Sequence, residues 1–486
     1  MLKIKRKLVL VSVSLLILVG LGGHVLAGEL PPTAKWIPKD DLWKWTQYRG
    51  EVITVEVQST PPCWAISKLI PEFEKFTGIK VNWTELTLEE IATRLILDFT
   101  TASGKINVFS CDPYQTVAPL HAHLVNLGKF SADPSLPSLD PDDFTDADWI
   151  GNAYYVDETR VLALPLNICN MFLIYRKDIF ENENYRAMFQ MEMGYDWIPT
   201  DITWQKYYEI AKWINEKINE GVITEVKWAT GHHAKQADPL QCDFSNVLAA
   251  FGGDYFKKSP RAAKYGTDLP GDCTLNEPEA IEAADFYNKL ISASAPGAPG
   301  WDWVDLYDAI SAGRIAMAPS WSEYAPDLEN PETSKVVGKL GYTLLPKGPT
   351  GRSANMWGGY GLALNRYSQE VTQKAAWLFV VWATGPGVQE VGIPLGYFPP
   401  TRYSVYDTDT VKDMNPSLRE AMLASLKAAR EENAYWRPKV PQWLECLVVI
   451  GSEVSKMIAG EKTPESAMKD VASQIDEITG WAKIKK

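Results

Sequence analysis

The chain has 486 residues, 46% of them hydrophobic and 22% charged, a composition typical of globular proteins but a length that exceeds what one core supports. Its formal net charge is −13, and a negative field of this size repels nucleic-acid phosphates and anionic lipid headgroups. Polynucleotide binding and tight membrane association are therefore disfavoured, and two or more domains are expected.

The N-terminus has the features of a secretory signal peptide. Four positive residues among the first seven precede an apolar run over residues 8–21. The segment that follows ends at Ala27 with a small residue, as expected at a cleavage site before Gly28. A membrane-spanning helix needs about 20 apolar residues, and this run is shorter, so a cleaved signal peptide is favoured and an uncleaved anchor is the alternative. The first cysteine is Cys63, which leaves a lipid-modified N-terminus no attachment point. We predict an exported mature chain whose net charge, without the four positive residues, is −17.

The mature chain begins with prolines and tryptophans. Residues 28–49 carry three of each, which predicts an irregular strap that docks its aromatic side chains on a lobe. Strands predicted over 51–57, 79–83 and 106–110 then alternate with helices over 66–76 and 87–101. This β-α-β-α-β order predicts a mostly parallel sheet with helices on both faces.

An acidic segment separates this first region from a second one. Residues 131–148 contain six aspartates without the alternating spacing of a calcium loop, so we predict a solvated loop, with calcium binding as the alternative. Residues 161–165 and 171–176 are strand-like and flank residues 166–170. A second α/β region follows. Its predicted strands cover 228–231, 341–345 and 360–365, and its predicted helices cover 204–220, 245–251, 277–292, 303–313, 372–383, 417–432, 442–459 and 464–479.

The common catalytic and metal-binding signatures are absent from the sequence. It contains no nucleophile elbow, phosphate loop, dinucleotide fingerprint or His-Glu-x-x-His. His121 and His123 are two apart on a predicted helix and cannot share a face. His232 and His233 follow a short strand, where ligand contacts or surface exposure are favoured over metal binding. We therefore predict no catalytic residue, metal or cofactor.

Two classes of protein, a secreted enzyme and a structural surface protein, stay open as alternatives at this point. The 61 acidic residues do not exclude the carboxylate pair of a secreted glycoside hydrolase. The 19 tryptophans suit sugar stacking in either a hydrolase or a binding protein, although core packing is the alternative for each one. A purely structural surface protein is the third class.

The six cysteines are even in number, as expected for disulfides in an oxidising compartment. Their spacing contains no Cys-x-x-Cys, which disfavours a structural zinc site. Cys63 with Cys111, and Cys242 with Cys273, are the candidate disulfides, and free buried thiols are the alternative.

Eight motifs follow one another along the chain, at residues 69–81, 163–180, 203–204, 252–255, 313–317 with Trp321, 345–349, 374–379 and 396–402. In this order they resemble the extracellular solute-binding proteins of family 1, which deliver sugars and related compounds to ATP-driven importers. The resemblance extends from Val52 to Ile478.

The resemblance implies an α/β protein with the two-lobed, type II periplasmic-binding-protein-like fold and a ligand cleft between the lobes. Lobe 1 would comprise 50–168 plus 346–400, and lobe 2 would comprise 172–345 plus 403–482, with crossings near 166–171, 341–346 and 400–403. Hinge closure would bury a neutral carbohydrate and present it to the permease subunits of an ABC importer. The protein would act as a monomer in the periplasm or at the cell exterior.

Cleft residues are expected where strands end and where the chain crosses between lobes. Trp321 occupies the position of the family's stacking aromatic. Trp357, Gly358 and Gly359 precede a strand, where glycines let a ligand approach the backbone. The remaining candidates are Tyr360, Asp112, Tyr114, Trp64, Asn170, Tyr397, Arg402, Trp436 and Trp443.

Overall fold

The structure, a computed structural model, describes residues 30–258, 262 and 264–484. The predicted signal peptide lies outside the described residues. Within them, no helix is both long and apolar enough to span a membrane. The strands are β1 (Val52–Gln58), β2 (Lys80–Leu86), β3 (Val108–Cys111), β4 (Tyr154–Tyr155), β5 (Asp157–Val161), β6 (Ala163–Asn167), β7 (Met171–Arg176), β8 (Trp228–Thr230), β9 (Ile315–Trp321), β10 (Leu340–Thr343), β11 (Asn355–Met356), β12 (Tyr360–Leu364) and β13 (Ala434–Tyr435).

Helices pack around these strands, and most begin and end close to the predicted residues. Pro61 and Pro62, which precede the predicted helix over 66–76, are the first two residues of that helix, because proline is tolerated where an N–H has no helical partner. The longer helices are α1 (Pro61–Thr77), α2 (Leu88–Thr101), α3 (Glu183–Met193), α4 (Trp204–Asn219), α5 (Asp238–Ala250), α6 (Pro278–Ser292), α7 (Trp303–Ser311), α8 (Glu370–Ala383), α9 (Pro386–Gly392), α10 (Pro416–Ala428), α11 (Trp443–Ile458) and α12 (Pro464–Ile478).

Each lobe contains one mixed sheet, which confirms the predicted two-lobed α/β class. The first sheet has the order β2-β1-β3-β12-β6, and the second has the order β10-β7-β9-β8. β1 runs parallel to β2 and β3, whereas β12 is antiparallel to both of its neighbours, and so is β7. Parallel pairing is less extensive than predicted because β7 and β12, which each follow a crossing, enter their sheets in the opposite direction.

Each crossing is the place in the chain where side chains stop packing in the hydrophobic core of one lobe and begin to pack in that of the other. Leu166 packs in the first-lobe core and Met171 in the second. At the third crossing the change falls between consecutive residues, since Tyr397 packs in the first lobe and Phe398 in the second. A rotation of one lobe against the other would therefore be absorbed by very few residues.

The second crossing lies later in the chain than expected. Lys347 exchanges backbone hydrogen bonds with Ile202 and Trp204, at 2.8 and 2.9 Å, and Trp357 packs in the second-lobe core. Tyr360 is the next residue that packs in the first-lobe core. We therefore place the second crossing at 358–360 instead of 341–346, and assign residues 346–357 to the second lobe.

The strap docks on the first lobe. Trp45 is buried in that lobe's core, with its ring 6.2 Å from Phe76. The Trp36 indole N–H donates to Glu390 at 3.0 Å, and Lys35 pairs with the same carboxylate at 2.7 Å. This segment therefore covers α1 and α9 from one side.

The two candidate disulfides are not formed. Cys63, Cys111 and Cys242 are free, buried thiols. Cys63 packs in the core that contains α1, whereas Cys111 packs in the cluster beneath α2. The sheet separates these two groups, because side chains on the two faces of a sheet point away from each other.

The acidic segment is more tightly integrated than a solvated loop. Asp148 is fully buried, and the backbone N–H groups of Thr145 and Ala147 donate to Thr401 and Ala429 at 2.9 and 3.0 Å. The expectation of a solvated loop is therefore wrong for its second half. Among the described residues, no group of three acidic, histidine or cysteine side chains could hold a metal ion.

Candidate functional site: the cleft between the lobes

The candidate site lies where the ends of strands from both sheets meet the crossing segments. Trp321 is the last residue of β9 and Asp112 directly follows β3. The backbone N–H of Gly358 donates to Cys169 at 2.6 Å, which holds the first and second crossings side by side. Side chains from both lobes are thereby brought to one place.

Trp321 packs closely against the second crossing. Its ring is 6% exposed and meets Trp303 edge to face, with ring centroids 5.6 Å apart. A Cβ atom at Gly358 would lie 3.0 Å from the Trp321 ring and 3.8 Å from Nη2 of Arg437. Gly358 thus separates an aromatic face from a guanidinium group, and any larger residue there would press on the ring.

Trp357 lies between the lobes, directly before the second crossing. It is fully buried, and its indole N–H donates to Asp148 at 3.0 Å. Its ring meets Tyr114 edge to face at 6.5 Å between centroids. Because these contacts join a second-lobe residue to two first-lobe residues, Trp357 contributes to the closed arrangement of the lobes.

A buried arginine cluster lies beside Gly358. The Arg437 guanidinium lies over the Tyr114 ring at 4.3 Å, and its Nη1 donates to Asp238 at 2.9 Å. Nη2 is 4.0 Å from Asp112. Asp112 also accepts the backbone N–H groups of Tyr114 and Gln115, at 2.8 and 2.7 Å. One cation and two carboxylates are therefore held together between the lobes.

Several buried polar atoms of this cluster have no hydrogen-bond partner within the described part of the chain. They are the Tyr114 hydroxyl, Nε of Arg437 and Oδ1 of Asn167. A buried polar group without a partner costs roughly 1–3 kcal/mol. A ligand with hydroxyl groups would supply both the donors and the acceptors that these atoms lack.

Burial shifts the pKa values of Asp112, of Asp148 and of a nearby lysine, Lys439. Burial raises the pKa of Asp112, and the positive charge of Arg437 opposes that shift. Burial likewise raises the pKa of Asp148 to about 8, against hydrogen bonds from Thr145 and Trp357. Burial lowers the pKa of Lys439 to about 7. Its Nζ donates to the carbonyl groups of Ile150 and Tyr154, each at 2.9 Å.

Two further predicted residues lie at the edges of this site. The Trp436 indole N–H donates to the carbonyl of Ala147 at 3.0 Å, so it joins the lobes. Trp443 is buried edge to face against Tyr255, 5.0 Å between centroids, and its indole N–H has no partner among the described residues. Both contribute to packing around the cleft.

Three predicted residues make internal contacts at the crossings. Asn170 is buried and saturated, since its amide bonds with the carbonyl and hydroxyl of Ser425 at 2.9 and 3.1 Å. The Tyr397 hydroxyl donates to the carbonyl of Leu166. Arg402 is buried and donates to the carbonyls of Thr384 and Asp140 at 2.9 and 2.8 Å. We assign these three residues to the hinge rather than to contacts with a ligand bound between the lobes.

The remaining predicted residues differ in their surroundings. Tyr360 is buried, with its hydroxyl bonded to Thr60 and 3.3 Å from the amide nitrogen of Asn167. Trp64 is 45% exposed on α1 and donates to the Ser59 hydroxyl at 2.9 Å. Gly359 lies against the Trp357 ring, where an added Cβ would come within 2.6 Å.

Arg437, Asp148 and Asp238 are candidate site residues that sequence reasoning missed. The only local signal was the position of Arg437 between Trp436 and Pro438. Its partners come from segments some 200 or more positions away, so no spacing pattern could reveal them.

The chain matches the bacterial extracellular solute-binding protein family over residues 65–390. It belongs to this family. The resemblance drawn from the sequence motifs is thereby confirmed, and the protein is a solute-binding protein rather than an enzyme.

Two named relatives align with most of this chain. A probable amino-acid ABC transporter periplasmic-binding protein of Sinorhizobium fredii is 25% identical over 443 residues, which are 88% of this chain and 89% of the relative. The erythritol/L-threitol-binding protein of Mycolicibacterium smegmatis is 24% identical over 388 residues, 75% of this chain and 73% of the relative.

Solved structures show the same fold. Maltose-bound MalE3 of T. maritima has a TM-score of 0.69 at 22% identity and covers 88% of this chain and 100% of its own. A solute-binding protein of Agrobacterium radiobacter K84 in complex with ribitol has a TM-score of 0.67 at 22% identity, with coverage of 89% and 99%. Both support the two-lobed architecture.

Proposed function

We propose that the protein reversibly binds a neutral carbohydrate, either a sugar, an oligosaccharide or a polyol, in the cleft between its lobes. Hinge closure then presents the loaded form to the permease subunits of an ABC importer. The observation that carries this proposal is the pair of buried polar atoms, the Tyr114 hydroxyl and Nε of Arg437, that have no hydrogen-bond partner within the described part of the chain. Hydroxyl groups of a ligand can donate to and accept from such atoms, and the Trp321 ring, which lies near Arg437 beside Gly358, suits the apolar C–H face of a sugar.

The charge balance of the cluster favours a neutral ligand. Arg437 is already paired with Asp238 and is close to Asp112. An anionic ligand would meet these carboxylates, and a cationic ligand would meet the guanidinium. Hydroxyl groups instead donate to carboxylate oxygens and accept from Nε of Arg437, so they add hydrogen bonds without an uncompensated charge.

Several related proteins support this ligand class, although the Sinorhizobium fredii relative is named for amino-acid transport. One relative is named for erythritol and L-threitol, and structural neighbours were solved with ribitol, maltose or D-mannitol bound. A secreted glycoside hydrolase is disfavoured by membership of a solute-binding family. The protein is proposed to act as a monomer outside the cytoplasm, without nucleic acid, metal or cofactor, and either free or held by an uncleaved N-terminal segment.

Tryptophan fluorescence titration against erythritol, ribitol, D-mannitol and maltose tests the proposal. At least one compound is expected to shift the emission saturably and to be recovered unchanged by mass spectrometry. Trp321→Ala should weaken that binding at least tenfold, whereas Trp321→Phe should retain most of it because the stacking face remains. Release of hydrolysis products, or equal affinity in Trp321→Ala and the wild type, would contradict the proposal.

A further inference from the structure

A pocket lies under the strap, away from the interlobe site. Its volume is about 400 Å³, and it is bordered by the strap, the segment 137–143, the end of α8 and the third crossing. We name it the strap pocket. None of its lining residues belongs to the cluster around Trp321 and Arg437. The volume falls within the usual range of small-molecule sites, roughly 300–1,000 Å³.

The walls of the strap pocket are largely aromatic and proline rings. Trp36 and Trp45 contribute from the strap, Trp382 contributes from α8, and Pro38 and Pro386 add flat apolar surface. Trp45 and Trp382 are only 4% and 3% exposed and form a base that is fixed by packing, whereas Trp36 is 40% exposed. The Trp36 ring is therefore the aromatic surface available to the C–H face of a sugar ring.

The same pocket also contains hydrogen-bond donors and acceptors. Asp140 and Asp143 line one side, together with the buried guanidinium of Arg402. Asp143 is held in place by the backbone N–H and the hydroxyl of Ser404, each at 2.8 Å. The indole N–H of Trp382 is buried and has no hydrogen-bond partner among the described residues.

We propose that the strap pocket is a second ligand site, and that its ligand is a small polyhydroxyl compound of mono- or disaccharide size. The combination of wall groups excludes simpler ligands. A cation would meet Arg402, an anion would meet the aspartates, and a purely apolar ligand would leave the polar groups unpaired. Hydroxyl groups both donate and accept, and the ring faces between them stack on tryptophan.

The test separates this pocket from the interlobe cleft. Ser138 is exposed and lines the strap pocket, so Ser138→Trp blocks the pocket without disturbing a core. Ser466→Trp, at an exposed position on α12, is the matched control. Equilibrium dialysis with radiolabelled maltose and radiolabelled D-mannitol, up to millimolar concentration, measures the number of molecules bound per chain.

The proposal predicts two bound molecules per chain for at least one of these two probes in the wild type and in Ser466→Trp. Ser138→Trp should lose one of them, and Trp321→Ala should lose the other. Binding that is lost in Ser138→Trp but unaffected by Trp321→Ala supports the strap pocket and contradicts the interlobe site. Unchanged stoichiometry in Ser138→Trp, or no binding outside the interlobe cleft, overturns the strap pocket as a saccharide site.

Discussion

At the residue scale, the site depends on side chains whose partners come from distant parts of the chain. Trp321 could be proposed as a ligand contact from the sequence, because it follows a family motif at the end of a strand. Arg437 could not, because its contacts with Asp112, Tyr114 and Asp238 exist only once both lobes have folded and met. Local sequence reports which residue types could bind a ligand, whereas the fold decides which of them are adjacent.

The two glycines that precede β12 should respond differently to substitution. In Gly358→Ala the added methyl group presses on the Trp321 ring, so we expect ligand affinity to fall at least fivefold with little loss of stability. In Gly359→Ala the methyl group meets the backbone oxygen of Asn167, which cannot yield like a side chain, so we expect about 1–3 kcal/mol of destabilisation, as for overpacking. Fluorescence titration and urea unfolding measure the two effects. If both variants changed ligand affinity and the free energy of unfolding equally, the methyl group at residue 358 would not act through the Trp321 ring.

Asp148 should make stability depend on pH. Burial raises the pKa of Asp148 to about 8 in the folded protein, whereas an exposed aspartate has a pKa of about 3.9. The folded state thus holds the proton more tightly, and the Asp148 contribution to the free energy of unfolding falls as pH rises from about 4 to about 8.

Asp148→Asn removes this titration and keeps an oxygen that accepts from the Trp357 indole N–H. We expect the variant to gain stability relative to the wild type as pH rises, with the largest difference at pH 8. Urea unfolding at pH 5 and pH 8 gives that difference, and an identical difference at both values would contradict the assignment.

At the element scale, the helices and strands were largely predictable from hydrophobic periodicity. The first residues of α5 were missed, because every residue of this helix after Asp238 is buried and the helix shows no polar face from which a helical period could be read. The disulfide candidates failed for a related reason, since cysteine spacing does not say which face of a sheet each thiol occupies. The strap was predictable in outline because its tryptophans and prolines are concentrated in a short stretch.

The strap should contribute to the stability of the first lobe through Trp45. This side chain is 4% exposed and packs in the core, whereas Trp43 in the same short helix is 54% exposed. Trp45→Ala is expected to lower the free energy of unfolding by about 3–5 kcal/mol, as for a core aromatic, and Trp43→Ala by less than about 1 kcal/mol. Urea unfolding of the two variants gives the comparison, and similar values would show that the strap is not part of the core.

At the scale of the whole molecule, the structure has its lobes in contact. Three residues of the second lobe donate hydrogen bonds to the first-lobe segment 147–154: Trp357 to Asp148, Trp436 to Ala147 and Lys439 to Tyr154. The two-lobed order could be predicted from the sequence, but the position of the second crossing could not. Residues 346–357 carry no periodic pattern, and only their packing on the second lobe reveals where they belong.

Arg437 should favour the closed arrangement of the lobes. Arg437→Gln removes the stacking on Tyr114 and leaves Asp112 and Asp238 as neighbouring carboxylates without a cation. We expect a larger radius of gyration in ligand-free solution by small-angle X-ray scattering. Arg314→Gln, at an exposed position of the second lobe, should leave the radius unchanged. A radius unchanged in both variants would exclude Arg437 from a role in closure.

The most direct test of carbohydrate binding between the lobes is a crystal structure of the protein with whichever compound of the titration panel binds most tightly. The account predicts an intact carbohydrate between the lobes, with a ring face on Trp321 and hydroxyl groups hydrogen-bonded to Arg437 and Asp112. A ligand bound elsewhere while the interlobe cleft stays empty, or a cleaved ligand in that cleft, would contradict it.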